Sequence, residues 1–351
     1  MPLAPAGASR HGGGARPRFG CMRESINRIQ ADAMQRLDGQ LITVIGGGGF
    51  VGRYVVQRLL SRGARVRVAQ RQPRQATFLK PLGGLGQTQF VAVDVRDAAS
   101  VARAVAGSDA VINLAGSFDD MIAVQAEGAK HVAEAAAAAG VRALVHLSAI
   151  GADSESPSRY GRSKGDGEAA VRAAFPGAVI LRPSIIFGRE DQFINRFAGM
   201  IRIAPVVPVV APNTRLQPVY VGDVADAVVA SLEPQAAGKL FELGGPQQMT
   251  MAALLRWIAE ATGRKRLFVE LPDAVASALA TGLGWAPGAP ITRDQWLMLQ
   301  RDNVVVEGAE GLHALGIGAT SLPAVADGWL VQYKRNGRFA EITDAVESAA
   351  Q

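Results

Sequence analysis

The sequence predicts an α/β protein, in which a doubly wound parallel sheet is joined to a smaller C-terminal lobe. Short apolar runs alternate with helical patterns from residue 39 to about residue 185, and the connections between them are short. Repeated strand–helix units of this kind form parallel sheets with helices on both faces. We therefore expect a disordered basic extension over residues 1–38, a nucleotide-binding domain over 39–185 and the C-terminal lobe over 186–351.

Each element follows from a local pattern. Strands are expected at 41–45, 66–69, 88–93, 110–114, 144–147 and 179–181. Helices are expected at 53–62, 100–106, 122–139 and 160–174, and Gly140 is a typical helix stop. Beyond residue 186 the alternation loosens, with strands expected at 217–220 and 240–243 and helices at 224–232 and 251–262.

Composition restricts the possible functions. Of 351 residues, 48% are hydrophobic and 19% charged, which is typical of a globular α/β protein with a substantial core. The single cysteine, Cys21, excludes an internal disulfide, and the four histidines are scattered. We expect neither a metal nor a nucleic-acid partner. No apolar run reaches the roughly 18 residues that a membrane-spanning helix needs.

The first 38 residues carry much of the net charge of +6. The first 20 are rich in glycine, proline, alanine and arginine and contain no acidic residue, a composition that cannot bury a core. Three interpretations remain open: an organelle transit peptide, an extension upstream of a start at Met22 or Met34, or a surface-binding tail.

A glycine-rich turn separates the first strand from the first helix. Gly46, Gly49 and Gly52 have the spacing G-x-x-G-x-x-G, and Phe50 and Val51 lie within it. Glycines let the backbone turn tightly and approach a pyrophosphate, while the helix N-terminus offers amides and partial positive charge to the phosphates. This context predicts a Rossmann-type dinucleotide site in which these five residues contact the cofactor. An ordinary flexible turn is the alternative.

Arg71 follows the second strand, where an NAD site usually has an acidic residue that binds the ribose 2′-hydroxyl. No acidic residue lies between Arg53 and Gln89. An arginine at this point suits a 2′-phosphate, so the sequence favours NADP(H) over NAD(H), with Arg74 as a helper. A solvated surface arginine is the alternative.

The ends of the third and fourth strands supply further candidate contacts. Asp94 and Val95 can bracket an adenine, although an aspartate there is also a common turn residue. Ala115 and Gly116 are small enough to admit the cofactor ribose, although tight helix packing explains them equally well.

Tyr160 and Lys164 lie four residues apart, on one face of a predicted helix, and Ser148 ends the preceding strand. An ammonium beside a phenol is expected to lower the phenol pKa, so that Tyr160 can pass a proton, while the serine hydroxyl holds a carbonyl. Hydride transfer between a nicotinamide and a carbonyl needs such a proton donor. Ser148, Tyr160 and Lys164 are therefore the candidate catalytic residues.

Together these residues resemble the short-chain dehydrogenase/reductase superfamily, of the extended or atypical type, over roughly residues 39–335. Within it, the segments 175–178, 181–193, 217–224 and 240–246 resemble the family of accessory subunits of respiratory complex I (NADH:ubiquinone oxidoreductase) and its bacterial relatives. The run from Phe187 to Asp191, Phe-Gly-Arg-Glu-Asp, is the most specific part of this resemblance.

The resemblance implies a tightly held NADP(H) of structural role, with little or no turnover. It implies complex I subunits or a membrane surface as partners, and a position peripheral to the inner membrane on its cytoplasmic or matrix side, beside the quinone-binding region. A quinone or another hydrophobic small molecule is a possible ligand. The family's cofactor positions match Gly46, Gly49, Gly52 and Arg71, and its active-site positions match Ser148, Tyr160 and Lys164; Tyr160, Lys164 and Pro183 are further expected cofactor contacts.

One departure puts proton transfer in doubt: Gln125 stands where active relatives often have asparagine. Two alternative functions stay open, an active NADP-dependent reductase, epimerase or dehydratase, for example in quinone biosynthesis, and a non-enzymatic nucleotide sensor. The apolar stretch 275–286 is expected to contact a membrane surface or a partner, with a buried core helix as the alternative.

Overall fold

The computed structural model describes residues 37–282, 291–335 and 337. Within these residues, seven strands form a parallel sheet: β1 (Leu41–Ile45), β2 (Arg65–Gln70), β3 (Thr88–Ala92), β4 (Ala110–Asn113), β5 (Ala143–Leu147), β6 (Val179–Pro183) and the late strand β11 (Leu240–Leu243). Their spatial order is β3–β2–β1–β4–β5–β6–β11. This is the order of a Rossmann fold with one added strand, which confirms the predicted fold class.

Helices cover both faces of the sheet. One face packs against α1 (Phe50–Ser61) and α6 (Val221–Ala230), and the other against α2 (Ala98–Val105), α3 (Gly128–Ala138) and α4 (Arg159–Ala174). The central strands β1, β4, β5 and β6 are mostly apolar and buried because each is covered on both sides, whereas β3 at the sheet edge has no fully buried residue. Because these strands are parallel, the carboxyl ends of β1, β2, β4 and β5 lie at one edge of the sheet, where ligands bind in such folds.

The helix expected over 122–139 differs in its first turns. It begins as a π-helical segment, Ile122–Glu127, which runs into α3. A Cβ atom on Gly167 of α4 would overlap the carbonyl oxygen of Gln125, so the two helices approach closely at this point. The expected stop is confirmed: Gly140 has φ +65° just past the end of α3.

The C-terminal lobe has a separate apolar core. It is formed by α5 (Phe193–Ile203), α7 (Met251–Ala261) and α10 (Leu322–Leu330). Three strand pairs surround it: β7 (Ile186–Phe187) with β10 (Val219–Tyr220), β8 (Val206–Val209) with β13 (Leu267–Glu270), and β9 (Arg215–Leu216) with β12 (Met249–Thr250). Two further helices are α8 (Asp273–Gly282) and α9 (Arg293–Met298), and short 3₁₀ segments lie at Pro234–Ala236, Leu312–Leu315 and Val331–Tyr333. A longer 3₁₀ segment, Pro73–Leu82, follows β2 in the nucleotide-binding domain.

Two expected segments fall partly outside the described residues. Residues 1–36 of the expected extension are among these, whereas Leu37 is buried in the core beside α1. Of the apolar stretch 275–286, residues 283–290 lie outside, while in α8 Val275 is exposed and Ala276 and Ala280 are buried. No helix in the described residues is both long and apolar enough to cross a membrane, and these residues contain no group of three potential metal ligands.

Candidate functional site

The glycine turn is closed by contacts that only glycine permits. Gly46 has φ +80°, and a Cβ atom there would lie 3.2 Å from the carbonyl oxygen of Leu114. A Cβ atom on Gly52 would overlap the carbonyl oxygen of Gly46 and lie 2.7 Å from the Gly47 backbone. The first turn of α1 is therefore pressed against the end of β1.

The N-terminus of α1 is open to an anion. Gly49 is the N-cap residue, donates its N–H to the Gly46 carbonyl (3.0 Å) and offers no side-chain cap to the helix. The amides of Phe50, Val51 and Gly52 follow in the first turn, where helical N–H groups have no intrahelical acceptor. Together with the helix dipole they form a cradle of the kind that binds phosphate.

Gln70, the last residue of β2, fixes the middle of the turn, and sequence reasoning missed it. Its Oε1 accepts a hydrogen bond from the Gly48 N–H (3.0 Å), and its Nε2 donates to the Gln72 carbonyl (2.8 Å). Its position directly before Arg71 is the signal that could have identified it. Because both ends of the amide are engaged, the side chain ties the glycine turn to the β2 end.

Basic side chains lie beside the turn. Arg71 is exposed at the carboxyl end of β2, and Arg74 is exposed in the next turn of chain. Arg53, which sequence reasoning also missed, lies over the Phe78 ring (4.9 Å to its centroid) and pairs with Glu190 at 3.5 Å. Arg71 and Arg74 are thus both exposed to solvent at this edge, and Arg71 is the nearer of the two in sequence to the end of β2.

Asp94 is held by a neighbouring arginine. The Arg96 guanidinium donates to both of its oxygens, at 2.6–3.1 Å, and lowers the pKa of this carboxyl to about 2. Arg96 also bonds Asp120 at 2.9 Å. Val95 is buried beside Gly128. The carboxylate is therefore charged and already partnered, and the contacts of Asp94 and Val95 with an adenine stay a prediction.

Asn113 orients the backbone at the end of β4. Its Oδ1 accepts from the Ala115 N–H, and its Nδ2 lies 3.1 Å from Nδ1 of His146 on the neighbouring strand. Burial lowers the pKa of His146 to about 3, with help from the charges of Lys164 and Arg172. The imidazole is neutral at physiological pH. Around Gly116 nothing lies where a Cβ atom would stand, so a ligand can come close there.

The three candidate catalytic residues converge at the end of β5. The Lys164 ammonium donates to the carbonyl of Leu147 at 3.1 Å, directly before Ser148, and lies 5.9 Å from the centre of the Tyr160 ring. That ring stacks on Phe118, with centroids 5.1 Å apart and planes 16° apart. The Ser148 hydroxyl is buried without a hydrogen-bond partner among the described residues.

The expected lowering of the Tyr160 pKa is wrong. Burial raises the pKa of the Tyr160 phenol to about 12, and burial lowers the pKa of Lys164 to about 8 against the opposing charge of Glu168. Removing a group from water penalises its charged form, and this cost exceeds any attraction between the two groups. The phenol is therefore protonated at neutral pH.

Three of the four buried side-chain polar atoms without a hydrogen-bond partner among the described residues belong to this end of the sheet, and the fourth, Nε1 of Trp329, lies in the core of the C-terminal lobe. The three are Oε1 of Gln125, Nε2 of His146 and the Ser148 hydroxyl. The other end of the Gln125 amide donates to the Ser117 carbonyl, just past β4. Because buried polar groups are usually satisfied, unpartnered ones mark a place where a ligand or ordered water binds.

An ion-pair cluster attaches α4 to the sheet. Arg182 on β6 makes two hydrogen bonds to the buried Glu168 carboxylate, at 2.8 and 2.9 Å, and lies 3.7 Å from Glu242 on β11. Pro183, the next residue, is buried, and its carbonyl accepts from the Ile150 N–H (3.0 Å). Sequence reasoning identified Pro183 but not the cluster.

The Phe-Gly-Arg-Glu-Asp run joins the lobe to the nucleotide-binding domain. Glu190 accepts a 2.7 Å hydrogen bond from the Tyr54 hydroxyl on α1. Asp191 is buried and accepts from the N–H groups of Gly188 (3.2 Å) and Ile194 (2.6 Å), which caps α5. The most specific run of the sequence therefore has a structural role beside the glycine turn.

These features fit a dinucleotide. The cradle at α1, the closed turn at Gly52 and the unpartnered hydroxyl of Ser148 lie along the edge where the fold places the pyrophosphate and the nicotinamide.

Comparison with known proteins agrees with this geometry. The model of the NAD dependent epimerase/dehydratase family matches residues 42–244. The chain is 37% identical over 299 residues to mouse "NADH dehydrogenase [ubiquinone] 1 alpha subcomplex subunit 9, mitochondrial", covering 82% of this chain and 78% of the relative. It is 32% identical over 240 residues to the ceramide reductase of Caulobacter vibrioides, covering 66% and 74% of the two chains.

Among solved structures, an NADPH-dependent quinone oxidoreductase from Escherichia coli, complexed with NADPH, superposes with a TM-score of 0.66. The match covers 81% of this chain and 97% of the other at 20% identity, which supports the fold alone. Strand order, glycine turn and sequence similarity agree, and the chain belongs to the NAD dependent epimerase/dehydratase family, within the group that includes the alpha subcomplex subunit 9 of mitochondrial NADH dehydrogenase.

Proposed function

We propose that the protein is an accessory subunit of a complex I-type NADH:ubiquinone oxidoreductase that retains NADP(H) as a structural cofactor. The observation that carries the proposal is the similarity to the mouse subunit, which extends over 82% of the chain and thus includes the C-terminal lobe. A similarity confined to the nucleotide-binding domain would indicate the cofactor but not the assembly.

The cofactor would be held mainly by the backbone. The amides of Phe50, Val51 and Gly52 would bind the pyrophosphate, and Arg71 would bind the 2′-phosphate. Val95 and Gly116 would border the adenosine, and Tyr160, Lys164 and Pro183 the nicotinamide ribose. The bound group supplies hydride chemistry, and the protein supplies its orientation.

Low turnover follows from the state of the polar groups. The Tyr160 phenol has a raised pKa and stacks on Phe118, and the Lys164 ammonium is already engaged by the Leu147 carbonyl. Efficient proton transfer needs a group whose pKa lies near the working pH and a partner that delivers the proton. Gln125 donates to the Ser117 carbonyl, and within the part of the chain that the structure describes it makes no hydrogen bond to Lys164. Binding would therefore persist while catalysis is slow.

Assembly would place the protein peripherally on the cytoplasmic or matrix side of the inner membrane. The exposed residue Val275 of α8, with the chain that follows it, is a candidate contact with other subunits or the membrane surface. A quinone or another hydrophobic molecule could then reach the Phe118 side of the site, because Phe118 is 64% exposed.

Native gel electrophoresis of solubilised membranes, followed by mass spectrometry, tests this proposal. The chain should migrate with complex I in about equimolar amount, and the isolated complex should release one NADP(H) per copy of the chain on acid extraction. A chain found only at its monomer mass, with complex I complete without it, contradicts the assembly role.

An NADPH-dependent reductase is the second candidate, favoured by the similarity to ceramide reductase and by the presence of Ser148, Tyr160 and Lys164. The test is multiple turnover of NADPH with long-chain ketones or quinones. Sustained turnover by the purified chain favours this candidate over the structural-cofactor role.

A further inference from the structure

The N-terminus of α4, which carries Tyr160, is capped by a carboxylate from the C-terminal lobe. Oδ1 of Asp294 accepts from the Arg159 N–H (2.6 Å), and its Oδ2 accepts from the Tyr160 N–H (3.2 Å). The Ser158 hydroxyl also donates to this Oδ2 (3.1 Å). Asp294 lies 134 residues after Tyr160, so the contact joins two parts of the chain that are remote in sequence.

The cap completes the helix end. Ser158, the N-cap residue, accepts from the Gly161 N–H through its hydroxyl (3.2 Å) and from the Arg162 N–H through its carbonyl (3.0 Å). The first four N–H groups of a helix lack intrahelical acceptors. Here the hydroxyls of Ser156 and Ser158 accept from the N–H groups of Ser158 and Gly161. Asp294 accepts from the two between them, those of Arg159 and Tyr160. Its negative charge also suits the positive end of the helix dipole.

Asp294 is carried on a small structured unit. It lies in the first turn of α9, whose start is fixed by a capping box between Thr292 and Gln295. Trp296 of the same helix is buried against Ala276 and Ala280 of α8 in a separate apolar cluster. A shift of this unit would therefore move the carboxylate with it.

Other polar links join the chain that follows α9 to the nucleotide-binding domain. Asn303 accepts from the Ser184 hydroxyl (2.6 Å) and the Ile185 N–H (3.2 Å), which lie at the end of that domain and not on α4. Arg301 pairs with Asp153 at 3.5 Å, but both side chains are largely exposed. Exposed pairs of this kind contribute little to stability. Among these links, the Asp294 carboxylate, with three donors, is the one that reaches the N-terminus of α4.

We propose that Asp294 is a positioning residue that couples the C-terminal lobe to Tyr160. It holds the backbone of Tyr160, while Phe118 holds the ring, so the orientation of the phenol depends on where the lobe sits. Where the coupling affects NADP(H), it rests on the proposed function; the contact itself does not. A partner that displaces α9 would loosen the nicotinamide side of the site without touching the cofactor.

Asp294→Ala tests the coupling, with Asp302→Ala as the matched control. The Asp302 carboxylate lies in the same lobe and also accepts a backbone N–H, that of Arg215 at 2.7 Å, but it does not contact α4. In the cofactor-free protein, the amides of Arg159 and Tyr160 should exchange with deuterium about fivefold faster in Asp294→Ala, as expected for the loss of a cap. Exchange at these amides should stay unchanged in the control.

A spectroscopic readout separates positioning from general destabilisation. The protein has four tyrosines, so incorporation of 3-fluorotyrosine gives four ¹⁹F resonances, of which Tyr160 is assigned with Tyr160→Phe. Asp294→Ala should shift or broaden the Tyr160 resonance and leave the other three in place. The dissociation constant of NADPH should rise about fivefold in the same variant.

Unchanged exchange at Arg159 and Tyr160, together with an unchanged Tyr160 resonance, would overturn the proposal. If Asp294→Ala does not fold, Asp294→Asn decides by the same readouts, because it keeps the shape and one acceptor but removes the charge. If the parent protein binds no NADPH, the proposed function fails, yet the exchange and ¹⁹F measurements still decide the coupling.

Discussion

The glycine turn and the start of α4 border the same edge of the sheet, yet they are built in opposite ways. At the turn, backbone shape does the positioning: Gly52 admits no Cβ atom, and Gln70 bonds the loop. At the β5–α4 end, side chains do the positioning, and Ser148 and Gln125 keep buried polar atoms without hydrogen-bond partners among the described residues. The comparison teaches that binding and chemistry at this edge depend on different kinds of contact, backbone shape in one region and buried side chains in the other.

Gly52→Ala should have the largest effect on stability and cofactor binding, because it changes the glycine turn, where backbone shape positions the site. The added methyl would overlap the Gly46 carbonyl oxygen and force α1 away from the turn. We expect the free energy of unfolding to fall by about 3 kcal/mol, as for severe overpacking, and NADPH binding to fall below detection. Chemical denaturation and fluorescence titration measure the two effects.

Gly199→Ala is the matched control for this change. Gly199 lies within α5, and nothing stands within 4 Å of the position that its Cβ atom would take. Alanine there should leave binding unchanged and stabilise the helix slightly. A Gly52→Ala protein that binds NADPH like the parent would show that the turn is not held by this contact.

His146 tests the second region of the comparison, the β5–α4 end, where buried side chains determine the arrangement. Its pKa is about 3 in the folded protein against 6.5 in the unfolded chain, so between these values the unfolded state binds more protons. Stability should therefore fall as the pH drops below 6.5, by about 2 kcal/mol between pH 7.5 and pH 5 from this residue.

His146→Gln removes the titrating group. The two proteins are then compared by how steeply their free energy of unfolding changes with pH. Urea unfolding of the parent and the variant at pH 7.5 and pH 5 gives the difference in pH dependence, in which the other groups cancel. Equal slopes in the two proteins would mean that His146 is not kept neutral by burial.

The sequence predicted well the features that depend on neighbouring residues. The strands, the glycine turn and the stop at Gly140 follow from local patterns, because apolar periodicity and glycine chemistry act over a few residues. The spacing of Tyr160 and Lys164 likewise placed both residues at the β5 end, and the structure brings them there.

What the sequence did not predict depends on contacts between distant residues. Asp294, Glu190 and Gln70 act on segments 22 to 136 residues away, and no local pattern records such partners. The direction of the Tyr160 pKa shift was wrong for the same reason. Spacing on a helix shows that Lys164 is near, whereas the extent of burial is decided by Phe118 and the rest of the packed structure.

Arg71→Glu tests the glycine-turn region of the comparison, at the adenosine end of the predicted cofactor. If Arg71 binds the 2′-phosphate, the parent should prefer NADPH over NADH, and the glutamate should remove a preference of about tenfold or more by repulsion. Arg65→Glu is the control, since it makes the same charge change at the exposed opposite end of β2. Equal affinities of the parent for the two dinucleotides, measured by fluorescence titration, would contradict the role of Arg71.

Tyr160→Phe should have the smallest effect on cofactor binding and assembly, and it separates binding from chemistry most directly. The phenol makes no hydrogen bond among the described residues, whereas its ring stacks on Phe118, and phenylalanine preserves the stack. NADPH retention and complex I assembly should therefore stay within twofold of the parent, as judged by cofactor extraction and native gels. Any residual carbonyl reduction should fall by at least about 100-fold, because the transferable proton is lost.

Tyr54→Phe is the matched control: it removes a hydroxyl that donates to Glu190 at 2.7 Å and should lower the free energy of unfolding by about 1 kcal/mol. Rapid multiple turnover in the parent that disappears in Tyr160→Phe would instead show that the α4 end is a working active site.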